Sequence, residues 1–172
     1  MNPIARNAMA QLSAPQVSFK LNGREVTGRT SETIIQVAQR EGIEIPQLCY
    51  REGMEAVGNC RACMVEISGE RVLAASCCRH PVAGMEVTSN STRALAAQKM
   101  VLELLQSDLP ATTYTRNNEV DLWASKLSVG QPRFAARKQA VQDASHAAIT
   151  VNLDACIQCT RCVRACRDEQ VN

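Results

Sequence analysis

The chain has 172 residues, 45% of them apolar and 21% charged, with a formal net charge of +2. That length allows one domain or two small ones, the composition is that of a folded globular protein, and a charge so near neutral offers no basic face for nucleic acid or an anionic membrane. Two phenylalanines, two tyrosines and one tryptophan leave few large side chains for a core, whereas nine cysteines supply another means of holding it together.

Residues 1–16 form a polar, Ala-containing arm with Pro3 and Pro15, expected to be poorly ordered without a partner. The arm lacks the apolar core of an export signal, and no run approaches the roughly 18 apolar residues of a membrane span. A cytoplasmic location follows, and there close cysteine pairs read as metal or cluster sites rather than disulfides.

Val17-Ser18-Phe19-Lys20-Leu21 alternates apolar and polar, Asn22-Gly23 suits the positive-φ positions of a type I′ turn, and Glu25-Val26-Thr27 returns, predicting a β-hairpin. A helix of about three turns follows, with Thr30 or Ser31 as cap, Glu32 in its first turn, Ile34, Ile35, Val37 and Ala38 on one face, and Gly42 as terminator. Met64–Ile67 and Val72–Ala75 read as strands joined at Ser68-Gly69-Glu70, and Met85–Thr88 as a last short strand. Together these elements predict a small α+β domain with the helix on one sheet face.

Ser91-Thr92 starts a second helix, with an apolar stripe of Leu95, Val101, Leu102, Leu104, Leu105 and Leu109, a Lys99–Glu103 pair, and Pro110 as its stop. Asn117-Asn118 and Asp121 open a shorter packing helix carrying Val120, Trp123 and Leu127, stopped by Gly130 and Pro132. Arg133–His146 is a basic, Ala-rich connector, read as partly helical, and Thr150–Leu153 is a short strand entering the last cysteines. No nucleotide-binding or hydrolase motif occurs, and no catalytic constellation presents itself within the 172 residues.

The chemistry lies in the cysteines. Cys49, Cys60, Cys63 and Cys77 are spaced C-x10-C-x2-C-x13-C. The close pair puts two sulfurs on one turn, and the loop before it contains Gly53 and Gly58, where backbone N–H groups can approach sulfur closely. The reading is a [2Fe-2S] site, which takes two thiolates per iron. Zinc is the bland alternative, but its all-cysteine sites usually come as two close pairs, and Cys49 and Cys77 are singletons. Cys78 competes with Cys77 as fourth ligand; neighbouring residues on an extended backbone face opposite ways, so only one of them points at a cluster.

Cys156, Cys159, Cys162 and Cys166 follow C-x2-C-x2-C-x3-C, the spacing in which three thiolates hold one [4Fe-4S] cluster and the fourth ligates a second. Arg167 stands where a proline usually follows the fourth cysteine. Either all four thiols share one cluster, or further ligands lie beyond residue 172. His80, near Cys77, invites a Rieske-type reading, but such sites need two histidines on one iron; a surface or capping role is the simpler one, and His146 reads as solvated. Arg161, Arg164 and Arg167 recur every third residue and read equally as a solvated basic face or as groups that raise a cluster potential or dock an acidic partner.

With "IPQLCYREGMEAVGNCRACMVEI" and "LAASCCR" in hand, residues 17–90 resemble the N-terminal [2Fe-2S] ferredoxin-like domain shared by complex I, NAD-reducing hydrogenases and NAD-dependent molybdenum formate dehydrogenases. The tail "VNLDACIQCTRCVRACRDEQVN" is most similar to the alpha subunit of the formate dehydrogenases. The resemblance implies a β-grasp fold for residues 17–90, a helical connector over 91–149, and the start of a bacterial-type ferredoxin segment over 150–172, within a subunit that continues into a second cysteine run and a molybdenum-binding body. It supports Cys77 as fourth ligand of the first site. It also implies a cytoplasmic electron-transfer role, with formate oxidised at a molybdopterin centre elsewhere and electrons passed to a flavin (FMN) and NAD on a partner subunit. Many relatives carry an H-x3-C-x2-C-x5-C cluster site after the second helix; here Leu109–Thr115 has neither histidine nor cysteine, so that cluster cannot be built. The alternative function is a stand-alone ferredoxin-like subunit of a hydrogenase diaphorase, and a zinc-stabilised interaction module is a third.

Overall fold

The computed structural model describes residues 13–109, 118–138, 141–151, 153 and 155–170. Most of the expected N-terminal arm, and nearly all of the stretch expected to carry the missing cluster site, lie outside them.

Strand β1 (Gln16–Leu21) turns through Asn22 (φ 52°) and Gly23 (φ 78°) into β2 (Arg24–Arg29), with Leu21 opposite Arg24 and Phe19 opposite Val26. The two positive-φ residues are those a tight hairpin needs, so the register follows from the turn. Strands β3 (Met64–Ile67), β4 (Ala74–Ala75) and β5 (Glu86–Thr88) complete a five-stranded sheet in the order β2-β1-β5-β3-β4. β1 and β5 are parallel; the other pairings are antiparallel. β4 is shorter than the predicted Val72–Ala75 strand, because Val72 is exposed and only two residues pair with β3.

Helix α1 (Ile34–Arg40) lies on one face of this sheet. Its buried Ile34, Ile35, Val37 and Ala38 meet Phe19, Leu21, Val26, Val65, Ile67 and Val87 in the main core. The apolar face is the predicted one, but the helix is shorter and starts later: Thr33 is the cap, in a reciprocal box with Gln36. Glu32 precedes the helix and accepts from the Arg29 N–H at 2.7 Å instead of occupying a first turn. The helix approaches β2 closely at Gly28, where an added Cβ would lie 2.8 Å from Val37 Cγ2.

Helix α2 (Thr92–Asp108) is capped by the Ser91 hydroxyl, as its sequence predicts, and α3 (Glu119–Lys126) by the Asn118 side chain. Their second, smaller core joins Leu102 and Val120 to Leu48 and Ala62 of the cysteine loop, with Trp123, Leu127 and Ile157 packed around it. The buried row of α2 is less apolar than expected. It comprises Ala94, Gln98, Leu102 and Glu103, while Leu104 is exposed. Gln98 donates to the carbonyls of Met64 and Ser89 at 2.8 and 3.0 Å, which binds α2 to the sheet. Glu103 accepts from Arg133 at 2.7 and 2.8 Å.

The connector differs from its partly helical expectation. No helix forms among its described residues, and Asp143–His146 is a strand, β6, paired with β7 (Ile149–Val151) in an exposed hairpin. Asp143 accepts from the Ser145 N–H at 2.9 Å within β6, and in the turn His146 Nδ1 accepts from Ala148 N at 3.1 Å; local side-chain bonds of this kind compete with helix. A short helix, α4 (Arg161–Arg164), runs into a π-helical turn at Ala165–Glu169.

Candidate metal centre

Each thiol of the first motif is carried by an element with a reason to be where it is. Leu48, beside Cys49, and Ala62, between Cys60 and Cys63, are fully buried against Leu102 and Val120, so the two helices hold the loop from beneath. Cys63 leads directly into β3, whose Val65 enters the main core. Cys77 is held by its neighbours. The Ser76 hydroxyl donates to the Cys63 carbonyl at 2.8 Å, and the first N–H groups of α1, at Ile34 and Ile35, donate to the carbonyls of Arg79 and Ser76. The orphan donors of the helix start thus fasten the chain on either side of the fourth thiol.

Cys49, Cys63 and Cys77 are buried and Cys60 is half-buried. The Cys49 thiol lies close enough to those of Cys60 and Cys77, and the Cys63 thiol to that of Cys77, for each to shift the other's protonation. Four thiols gathered in this way suit a two-iron cluster, which takes two thiolates per iron.

The Cys49 N–H donates to Cys60 Sγ at 3.4 Å. The loop glycines do not supply this donor. Gly58 contributes a positive φ of 59° and lacks the Cβ that would come within 3.0 Å of Cys78 Sγ; Gly53, at φ 84°, faces open space.

Crowding polarises the thiols. The Cys60 thiol, and then Cys77, hold Cys49 far below the ordinary thiol range, and Cys77 lowers Cys63 to about 7. Cys60 is driven upward chiefly by its bond to Cys49, and Cys77 by its bonds to Cys49 and Cys63. Cys78 is exposed, with its Sγ 3.6 Å from that of Cys77. His80 is exposed, its Nδ1 2.8 Å from the Glu32 carbonyl, and His146 Nδ1 accepts from Ala148 N at 3.1 Å.

The second motif is more exposed. Cys156 and Cys159 are half-buried, whereas Cys162 and Cys166 are exposed. Their segment is nevertheless docked on the first motif. Asn59 Nδ2 donates to the Gln158 carbonyl at 2.5 Å, and Ile157 packs with Cys60 in the smaller core. Glu119 joins Arg51 of the cysteine loop, at 3.0 Å, to Arg161. Arg164 is buried; its guanidinium donates to the carbonyls of Cys49 and of Glu55, the latter at 2.7 Å. Of the two readings of the arginine row, the solvated one does not hold at Arg164. No sequence pattern marked Glu119, Asn59 or Gln98, since their roles depend on residues far away in the chain.

Residues 14–92 match the family described as "2Fe-2S iron-sulfur cluster binding domain". The chain is 33% identical over 176 aligned positions to the NADH-ubiquinone oxidoreductase 78 kDa subunit, mitochondrial, of Neurospora crassa, an alignment covering 95% of this chain and 24% of that protein. It is 32% identical to the NADH-ubiquinone oxidoreductase 75 kDa subunit of Reclinomonas americana over 86% of this chain and 22% of that one. The chain thus spans about a quarter of the length of these relatives. Among solved structures, a chain of the NAD+-reducing [NiFe]-hydrogenase in its H2-reduced state superposes with a TM-score of 0.79 at 27% identity, covering 89% of this chain and 67% of the other. No helix among the described residues is long and apolar enough to cross a membrane. Residues 14–92 are therefore similar to a 2Fe-2S iron-sulfur cluster binding domain, and the chain as a whole to the 75 and 78 kDa subunits of NADH-ubiquinone oxidoreductase and to a chain of an NAD+-reducing [NiFe]-hydrogenase.

Proposed function

We propose that Cys49, Cys60, Cys63 and Cys77 hold the [2Fe-2S] cluster and that the chain is an electron-transfer module of a larger NAD-linked oxidoreductase. The observation that carries this reading is the gathering of four thiols, three buried and one half-buried, close enough to shift one another's protonation, with the Cys49 N–H donating to Cys60 Sγ at 3.4 Å. The cluster supplies one-electron redox chemistry. The chain's own part is to hold the sulfurs with little reorganisation, keep water away, and stabilise added negative charge through N–H groups aimed at sulfur. Cys77 is favoured over Cys78 because it is buried among the other thiols while Cys78 faces solvent.

The test is anaerobic purification with optical and EPR spectroscopy. The chain should show [2Fe-2S] absorbance and a rhombic reduced signal, lost in Cys60→Ser and kept in Cys78→Ser. An intact rhombic signal in Cys60→Ser, or a colourless protein containing zinc, contradicts the assignment.

Within the larger enzyme, Cys156, Cys159, Cys162 and Cys166 bind a [4Fe-4S] centre, supported by their spacing. The narrower reading, an NAD-dependent formate dehydrogenase with molybdopterin and FMN elsewhere in the complex, rests on the tail motif alone. A hydrogenase-type assembly is the second reading, favoured by the solved structure that the chain superposes on. Formate-dependent against hydrogen-dependent NAD reduction by the complex containing this chain separates the two.

A further inference from the structure

We propose that Arg164 couples the two cysteine motifs: it docks the second onto the loop of the first and places a positive charge where it favours the reduced state of the Cys49–Cys77 centre. The inference rests on the cluster assignment above. Arg164 lies two residues from both Cys162 and Cys166, yet its side chain leaves its own segment. It is 3% exposed and donates to three oxygens: the Cys49 carbonyl, the Glu55 carbonyl at 2.7 Å and Thr160 Oγ1 at 3.3 Å. The first belongs to a thiol-bearing residue of the first motif and the second to the loop between Cys49 and Cys60.

Burying a guanidinium without partners is costly, so its presence here means the loop carbonyls are shaped around it. All three partners are neutral, and they satisfy its hydrogens without cancelling its charge. Asp168 is the carboxylate that senses it, but that group is held mainly by Arg167. Most of the positive field therefore reaches the Cys49 end of the site through protein rather than water, where screening is weak. Accepting an electron makes a cluster more negative, so a fixed positive charge beside it raises the reduction potential. The neighbouring contacts act in the same direction: Asn59 to Gln158, and Glu119 to both Arg51 and Arg161, close the same seam. An arginine that belongs to one motif by sequence and to the other by its bonds links the potential of the first centre to the docking of the second segment.

The experiment uses the full chain with its cluster loaded, comparing wild type with Arg164→Gln and Arg164→Lys. Glutamine still donates to a carbonyl but carries no charge; lysine keeps the charge with fewer donors. Arg164→Gln should retain the rhombic EPR signal with a lowered midpoint potential, and hydrogen exchange at residues 156–166 should quicken. Arg164→Lys should keep the wild-type potential while exchange still quickens. An unchanged potential in Arg164→Gln, or an equal drop in both variants, overturns the proposal. If Arg164→Gln does not fold, a shifted potential in Arg164→Lys overturns it just as well. Absence of a [2Fe-2S] signal in the wild type would instead refute the cluster assignment.

Discussion

Gly28 on β2 is where helix α1 comes closest to the sheet, and substituting it tests the link between the main core and the fourth thiol. A methyl group there would lie 2.8 Å from Val37 Cγ2, 3.2 Å from Pro81 Cγ and 3.3 Å from Phe19 Cε1. Val37 and Phe19 are fully buried, so neither side chain has free space to move into, and the helix itself must shift. Overpacking of this kind costs about 1–3 kcal/mol. Gly28 is outside the left-handed region, so alanine also restricts the unfolded chain, a gain of about 0.4–1 kcal/mol. The net loss for Gly28→Ala is then roughly 1–2 kcal/mol, or between about 0.5 and 1 M in urea midpoint for a chain of this size. Because the N–H groups of Ile34 and Ile35 hold the carbonyls of Arg79 and Ser76, a displaced α1 also loosens Cys77, and the variant should lose its cluster faster to chelator. The assay is anaerobic urea unfolding of Gly28→Ala, Val37→Ala and the double variant. Trimming Val37 removes the closest contact, so the double variant should be more stable than the sum of the single losses by at least about 0.5 kcal/mol. A Gly28→Ala midpoint equal to wild type, or strictly additive losses, would refute the reasoning.

Gln98→Leu removes the donor to two carbonyls, those of Met64 and Ser89, while keeping the bulk of the side chain. At about 1–3 kcal/mol for each of the two buried carbonyls left unsatisfied, unfolding should show a loss of roughly 2–6 kcal/mol; a loss below about 1 kcal/mol would mean that water replaces the amide. Arg133 hydrogen-bonds Glu103 and holds its carboxyl below the ordinary carboxylate range. A lowered folded-state value stabilises the fold above the unfolded carboxyl range and stops doing so as pH falls through the lowered value. The stability difference between wild type and Glu103→Gln should therefore be present at neutral pH and vanish in acid, and a difference independent of pH would contradict it.

How much was legible in the sequence is clearest from single positions. The Asn22-Gly23 turn, the apolar face of α1, and the caps Ser91 and Asn118 depend on residues within a few positions of one another, and the chain folds there as local chemistry dictates. Two boundaries moved because a nearby side chain competed. Thr33 with Gln36 took the cap of α1 from Thr30 or Ser31, and in the connector expected to be partly helical the local bonds of Asp143 and His146 accompany a hairpin. The buried row of α2 could not be read from apolarity, since Gln98 and Glu103 are buried by partners on β3, at Ser89 and at Arg133, none adjacent in sequence.

The cysteine spacing by itself marked out the ligand candidates, because metal–thiolate chemistry depends on residue identity and on short-range geometry such as the turn between Cys60 and Cys63. Tertiary structure decided the rest. It buried Cys77 and left Cys78 in solvent, gathered the four thiols close together, and laid the second motif against the first through Arg164, Glu119 and Asn59. Those outcomes required the chain to close over separations such as the 115 residues between Cys49 and Arg164, and contacts at that range are set by which surfaces pack together, not by any pattern along the backbone.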